Sequence, residues 1–268
     1  MRNVHLISID CQNDFCIKDG PDGEKGQLVV PGAEADMTRL AKFICKNKKR
    51  IEQIHCTLDS HQYVHIANPP FWVNSRGEHP QPFTLITDDD VRNGVWRAYN
   101  PKWQSRALKY VEDLKKNGRY VLVIWPPHCL IGTWGHSMIP CVAKAVYEWE
   151  MDFNRIDFVA KGSNLFTEHY SVVQADVEDP DDISTKLNTS FIDTLTEADE
   201  ILITGEALSH CVSNSITDVA NRFSTDQVQK FTLLEDTSSN VSGFEKLGQD
   251  FVKNMVQKGM KITNTRDW

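Results

Sequence analysis

Apolar positions recur along this chain in two rhythms. Short runs rich in Val, Ile and Leu alternate with longer stretches in which apolar residues return every third or fourth position. The short runs predict strands over 4–10, 51–59, 120–125, 156–161, 200–204, 230–235 and 261–263. The longer ones predict amphipathic helices. Ala33, Met37, Leu40, Ala41 and Ile44 share one helical face; Trp103, Ala107, Tyr110, Val111 and Leu114 share another, stopped by Asn117-Gly118. Further helices are expected over 137–149 and 191–198, and one carries Phe244, Leu247, Phe251, Val252 and Met255. A helix starting near Ser209, a natural N-cap, would bury Val212, Ile216, Val219, Ala220 and Phe223.

Strand and helix in alternation are the signature of an α/β fold, a mainly parallel sheet covered on both faces. A length of 268 residues without a break in composition fits one domain over 1–268. Two irregular stretches, about 62–102 and 162–187, interrupt the pattern, and loops of that length are often lids or binding segments.

Charge and cysteine content narrow the function classes. The formal net charge of −8 comes partly from acidic runs at 88–90 and 176–182, with no compensating basic stripe, so nucleic acid is not an expected partner. No segment has the length and apolarity of a membrane span or the layout of a secretory leader. Seven cysteines without paired zinc-ribbon spacing argue for a reducing compartment, and a cytoplasmic location is expected. The Asn-x-Ser patterns at Asn188 and Asn240 are then chance matches.

In open parallel sheets ligands bind beyond the carboxyl ends of the strands. The first strand ends at Asp10, the second at Asp59-Ser-His61 with His65 further on, and the third opens into Trp-Pro-Pro-His128. The fourth ends at Lys161, and the fifth leads through Gly205 to Cys211. A thiol at a helix N-terminus is favoured as thiolate, although a buried cysteine can equally be an inert small hydrophobe. Brought together, Asp10 as base, Lys161 as cation and Cys211 as nucleophile would make a covalent hydrolase. Asp59, His61 and His128 form a ligand set suited to zinc, iron or manganese. Each residue alone has an ordinary reading: a turn-forming Asp, a solvated Lys, a loop His.

Taken in order, Asp10-x-Gln-x-Asp-Phe15, Asp59-x-His61, Trp-Pro-x-His128-Cys-x-x-x-x-Trp-Gly135, Lys161-Gly162 and Ala-Leu-x-x-Cys211-Val resemble the nicotinamidases of the isochorismatase-like cysteine hydrolases. The resemblance implies a three-layer, Rossmann-like α/β/α fold with a six-stranded sheet in the order 3-2-1-4-5-6, and assembly as a homo-oligomer. It implies a catalytic triad of Asp10, Lys161 and Cys211. The implied oxyanion hole is formed by the N–H groups of Ala207 and Cys211, with a cis Glu206-Ala207 bond. One divalent metal, zinc as the leading candidate, would sit on Asp59, His61 and His128, with His65 near a metal-bound water or else a plain loop residue. Phe15 and Trp72 are candidate walls of an aromatic pocket, or core residues. The implied reaction is hydrolysis of a small aromatic carboxamide, nicotinamide first, through a thioester on Cys211, with a place in NAD salvage.

Glu206 departs from the family pattern. Near the nucleophile it would raise the thiol pKa and disfavour anionic substrates, or it points away to another partner. Two other readings compete: a cysteine hydrolase of another amide or N-carbamoyl compound, and a non-catalytic binding protein on the same scaffold.

Overall fold

In β1 (Val4–Ile9) every residue is buried, and the alternation decides the layering: Val4 and Leu6 face one apolar cluster, Ile7 and Ile9 the other. The computed structural model describes every residue except 1, 119 and 153. Among the described residues β1 belongs to a six-stranded sheet with β2 (Gln53–Asp59), β3 (Asp157–Lys161), β4 (Glu200–Gly205), β5 (Phe231–Leu234) and β6 (Lys261–Thr263). All pairings are parallel and the order is β3-β2-β1-β4-β5-β6, the arrangement the resemblance implies.

The principal helices are α1 (Ala33–Asn47), α2 (Gln104–Lys116), α3 (Pro140–Glu150), α4 (Thr189–Thr196), α5 (Ser213–Ala220) and α6 (Glu245–Gln257). Met37, Leu40 and Ile44 of α1 and Val142, Val146 and Trp149 of α3 bury against the Leu6 and Ile54 side of the sheet. Phe191 and Leu195 of α4, Ile216 of α5 and Phe251 and Met255 of α6 cover the side of Ile7, Ile201 and Ile203. Among the described residues no helix is long and apolar enough to cross a membrane.

Two expected elements differ. The run 120–125 is not a strand of the parallel sheet; only Leu122–Val123 is extended, paired antiparallel with Leu85–Ile86. Residues 122–125 are buried and apolar, so the run reads as a strand, yet its backbone partners come from the preceding irregular stretch. Ile124 N–H donates to Thr84 O, Phe83 N–H to Ile124 O, and Trp125 N–H to Ala67 O. The helix expected from 137 begins at Pro140. Residues 137–139 instead bond to the turn after β1, Asn13 N–H donating to Ser137 O and Ile139 N–H to Cys11 O.

Candidate active site

Parallel pairing puts Asp59 and Lys161 side by side at the ends of β2 and β3, with the end of β1 next to them. Asp10 follows β1 in the left-handed region, φ 46°. Thr57 of β2 holds it there, its hydroxyl donating to Asp10 Oδ1 at 2.5 Å and accepting the Asp10 N–H at 3.0 Å. On the other flank Gly205 ends β4 with φ 116°. A Cβ there would sit 2.0 Å from Ile9 O, so only glycine lets the chain turn toward Cys211.

Lys161 is the hub. Its ammonium lies 2.9 Å from Asp10 Oδ2, 3.0 Å from Asp59 Oδ1 and 3.5 Å from Cys211 Sγ, with all four side chains buried. Burial alone would strip its proton, but Asp10 and Asp59 more than compensate and hold its pKa well above the usual lysine range. Asp59 is likewise opposed by burial and rescued by His61 and Lys161, so its pKa falls well below the usual range.

The thiolate expectation for Cys211 is corrected. Burial pushes the thiol pKa up; Lys161 pulls it down, but Asp10 and Asp59 push it up again. On that balance burial favours the thiol over the thiolate, with Asp10 and Lys161 beside it. The local helix geometry also differs from the N-cap expectation. Leu208–Val212 form a π-helical turn in which Val212 N–H reaches back to Ala207 O, and α5 starts only at Ser213. Ser209 does not cap a helix; its hydroxyl accepts the Val241 N–H and contacts His210 Nδ1. The Glu206-Ala207 peptide is cis.

Asp59, His61 and His128 converge on one point. Asp59 Oδ2 lies 3.0 Å from His61 Nε2 and 3.4 Å from His128 Nε2. Each imidazole is oriented through its other nitrogen, His61 Nδ1 on Gly162 O at 3.1 Å and His128 Nδ1 on Pro126 O at 2.8 Å. Histidine ligands of metals are usually oriented in this way. Gly162, φ 83°, allows the close approach, since a Cβ there would lie 2.9 Å from Asp59 Oδ1 and His61 Cε1. Burial pulls His61 down, yet Asp59 prevails and lifts its pKa to about 9. The group fits a divalent cation on a second count. Its carboxylate oxygen and two imidazole nitrogens all lie within 4.8 Å of one another, a donor set of the kind that holds zinc.

His65 lies behind this set, its ring 4.5 Å from that of His61. With Glu168 and His61 it forms a second group of potential ligands. Both its nitrogens are engaged, however: Nε2 contacts Thr167 O at 3.1 Å, and Nδ1 accepts the Ala67 N–H at 3.2 Å. Burial and the neighbouring His61 hold its pKa down to about 4, which makes it a neutral strut between two loops.

A small, nearly closed cavity opens onto Cys211, walled by Phe15, Trp125, Tyr170, Ala207, His210 and Val241. Phe15 is where the sequence places it, edge-on to His128 at 5.3 Å. Trp72 is not. It is fully buried in the insert, its indole N–H donating to Ile66 O at 2.6 Å, and its role is packing. Trp125 stands in the pocket instead, its indole N–H bonded to the Tyr170 hydroxyl at 2.7 Å and its ring against His210. Sequence reasoning missed Trp125, Glu168, Tyr170 and His210. Trp125 carried a usable signal, because it shares a short segment with His128. Two wider clefts, about 760 Å³ beside β3 and about 800 Å³ in the insert, contain neither the thiol nor the Asp59 group.

No family model matches the sequence. A curated relative, the nicotinamidase of Saccharomyces cerevisiae, is 25% identical over 217 residues, covering 80% of each chain. The crystal structure of the yeast nicotinamidase bound to the inhibitor nicotinaldehyde superposes over 97% of this chain and 99% of its own, with a TM-score of 0.66 and 20% identity. The chain shares the fold of that nicotinamidase. Similar in fold is also the pyrazinamidase of Pyrococcus horikoshii in complex with zinc, with a TM-score of 0.55 and 17% identity over 98% of this chain and 99% of that one.

Proposed function

We propose that this protein cleaves a small, neutral aromatic carboxamide, nicotinamide first, to the acid and ammonia through a thioester on Cys211. The observation that carries the reading is the grip of Lys161 on Asp10, Asp59 and Cys211 at once, which joins a nucleophile, its base and a metal-ligand set into one unit. Two carboxylates lining the cavity, Asp59 and Glu168, disfavour an anionic substrate, and the walls of Phe15 and Trp125 suit a flat ring.

In the first half-reaction Asp10 takes the thiol proton as the sulfur bonds to the carboxamide carbon. The Lys161 ammonium stabilises the charge gained by sulfur and keeps Asp10 aimed at it. The N–H groups of Ala207 and Cys211 receive the oxyanion. Protonated Asp10 then delivers its proton to the departing nitrogen, which leaves as ammonia. In the second half Asp10 deprotonates water, which adds to the thioester, and the proton returns to sulfur as the acid departs. A divalent cation on Asp59, His61 and His128 would supply a coordination bond that anchors a ring nitrogen.

Ammonia release across nicotinamide, pyrazinamide, benzamide and an N-carbamoyl amino acid tests the assignment. Nicotinamide and pyrazinamide are expected to be turned over best; turnover confined to the N-carbamoyl compound would overturn it. His61→Ala and His128→Ala are each expected to lower metal affinity by at least about tenfold and to raise KM. Elemental analysis showing full occupancy in both variants would remove the metal from the account.

A further inference from the structure

Glu206, the residue that departs from the family pattern, is fully buried and turned away from the thiol, toward α1 and the segment after β5. Its Oε2 accepts the Ser239 N–H at 3.1 Å, while its Oε1 is buried with no hydrogen-bond partner among the described residues. Ser239 is held from three sides. Its hydroxyl donates to Asp36 Oδ2 at 2.6 Å, and its carbonyl accepts the Leu208 N–H at 2.7 Å. Arg39 closes the ring, paired with Asp36 and donating from Nε to Asp236 O at 2.6 Å. The backbone of Glu206 is anchored as well, its N–H donating to Ile9 O at 2.8 Å.

We propose that Glu206 is a positioning residue for the oxyanion turn: its carboxyl holds the Ser239 amide, whose hydroxyl is bonded to Asp36, and so ties residues 206–208 to α1 and sets the direction of the Ala207 N–H. The inference rests on the hydrolytic reading above. An apolar residue here would fill the space but leave the Ser239 N–H without this partner, and buried polar groups left unpaired are costly. Burial first, then the charge of Asp36, push the Glu206 carboxyl well above the usual carboxyl range.

The groups facing Glu206 are Asp36 and Arg39 from α1, and Cys11 and Cys16 from the turn after β1. Of these only Arg39 favours its ionised form. Because the folded pKa is raised, the stabilisation is complete below the ordinary carboxyl pKa and is lost as pH rises through the raised value. Ionised Glu206 and Asp36 would then repel, and the turn would loosen as pH rises through that value.

Glutamine keeps an uncharged acceptor for the Ser239 N–H; leucine does not. With nicotinamide as substrate, Glu206→Leu is expected to lower kcat by about tenfold or more with KM within about twofold, short of the 10²–10³ lost when an oxyanion donor is deleted outright. Glu206→Gln is expected to restore kcat and to lack the decline with rising pH of the natural protein. Should the leucine variant not fold, infrared difference spectra of natural protein against Glu206→Gln, taken without substrate, decide the matter through a protonated-carboxyl band that persists above the ordinary carboxyl range. Absence of that band, or equal kcat in the leucine and glutamine variants of an active enzyme, overturns the positioning role alone. A natural protein that releases ammonia from no carboxamide overturns the functional reading and the positioning role with it.

Discussion

Cys211→Ala is expected to abolish ammonia release, with a fall in kcat of about 10⁴-fold or more, as for other nucleophiles that act as a unit with their base. The fold and the cation site should persist, because the side chain is small, its removal leaves no charge unpaired, and its sulfur is not among the ligand atoms that converge on Asp59. The variant should therefore melt near the natural protein and bind metal equally well while staying inert. Residual activity within tenfold of the natural protein would mean that water attacks the carboxamide directly and that the thiol is a bystander.

Lys161→Met is expected to be the most disruptive single change. The side chain is 3% exposed and holds two buried carboxylates. Breaking a buried ion pair by removing one partner costs about 3–5 kcal/mol, because the charge left behind is uncompensated. At roughly 2–4 °C per kcal/mol for a chain of this size, the melting temperature should fall by about 10 °C. Turnover should fall by about 10³-fold or more, since Asp10 loses its orientation and the sulfur its nearest cation. Calorimetry and the ammonia assay on the same preparation check both effects. An unchanged melting temperature would show that the carboxylates are neutralised by other means, and unchanged turnover would remove Lys161 from the chemistry.

Much of this site can be read without coordinates because strand ends are visible in the hydrophobic pattern. Asp10, Asp59 and Lys161 each terminate an apolar run, and parallel pairing carries such ends to one edge of the sheet. What periodicity could not supply was the destination of loops. The run 120–125 has the composition of a central strand but bonds to the insert, and no local signal distinguishes the two. Trp72 and Trp125 are both buried; only tertiary packing sends one into the insert and the other to the cavity. Glu168 reaches the cavity from the middle of an irregular stretch, where no spacing rule applies. For the thiol of Cys211 the helix-terminus argument is local, whereas burial and carboxylates supplied from other strands push the other way. Glu206 illustrates the same limit: its position beside Ala207 is legible, but the direction of its side chain is set by α1 and Ser239.

The covalent step can be observed directly. Protein quenched in acid during turnover of nicotinamide and digested is predicted to carry the pyridine acyl group on the peptide containing Cys211, an adduct that disappears in Cys211→Ala and decays in time with release of the acid. Steady ammonia release with no acyl adduct on that peptide, or with the adduct on another residue, would contradict the account.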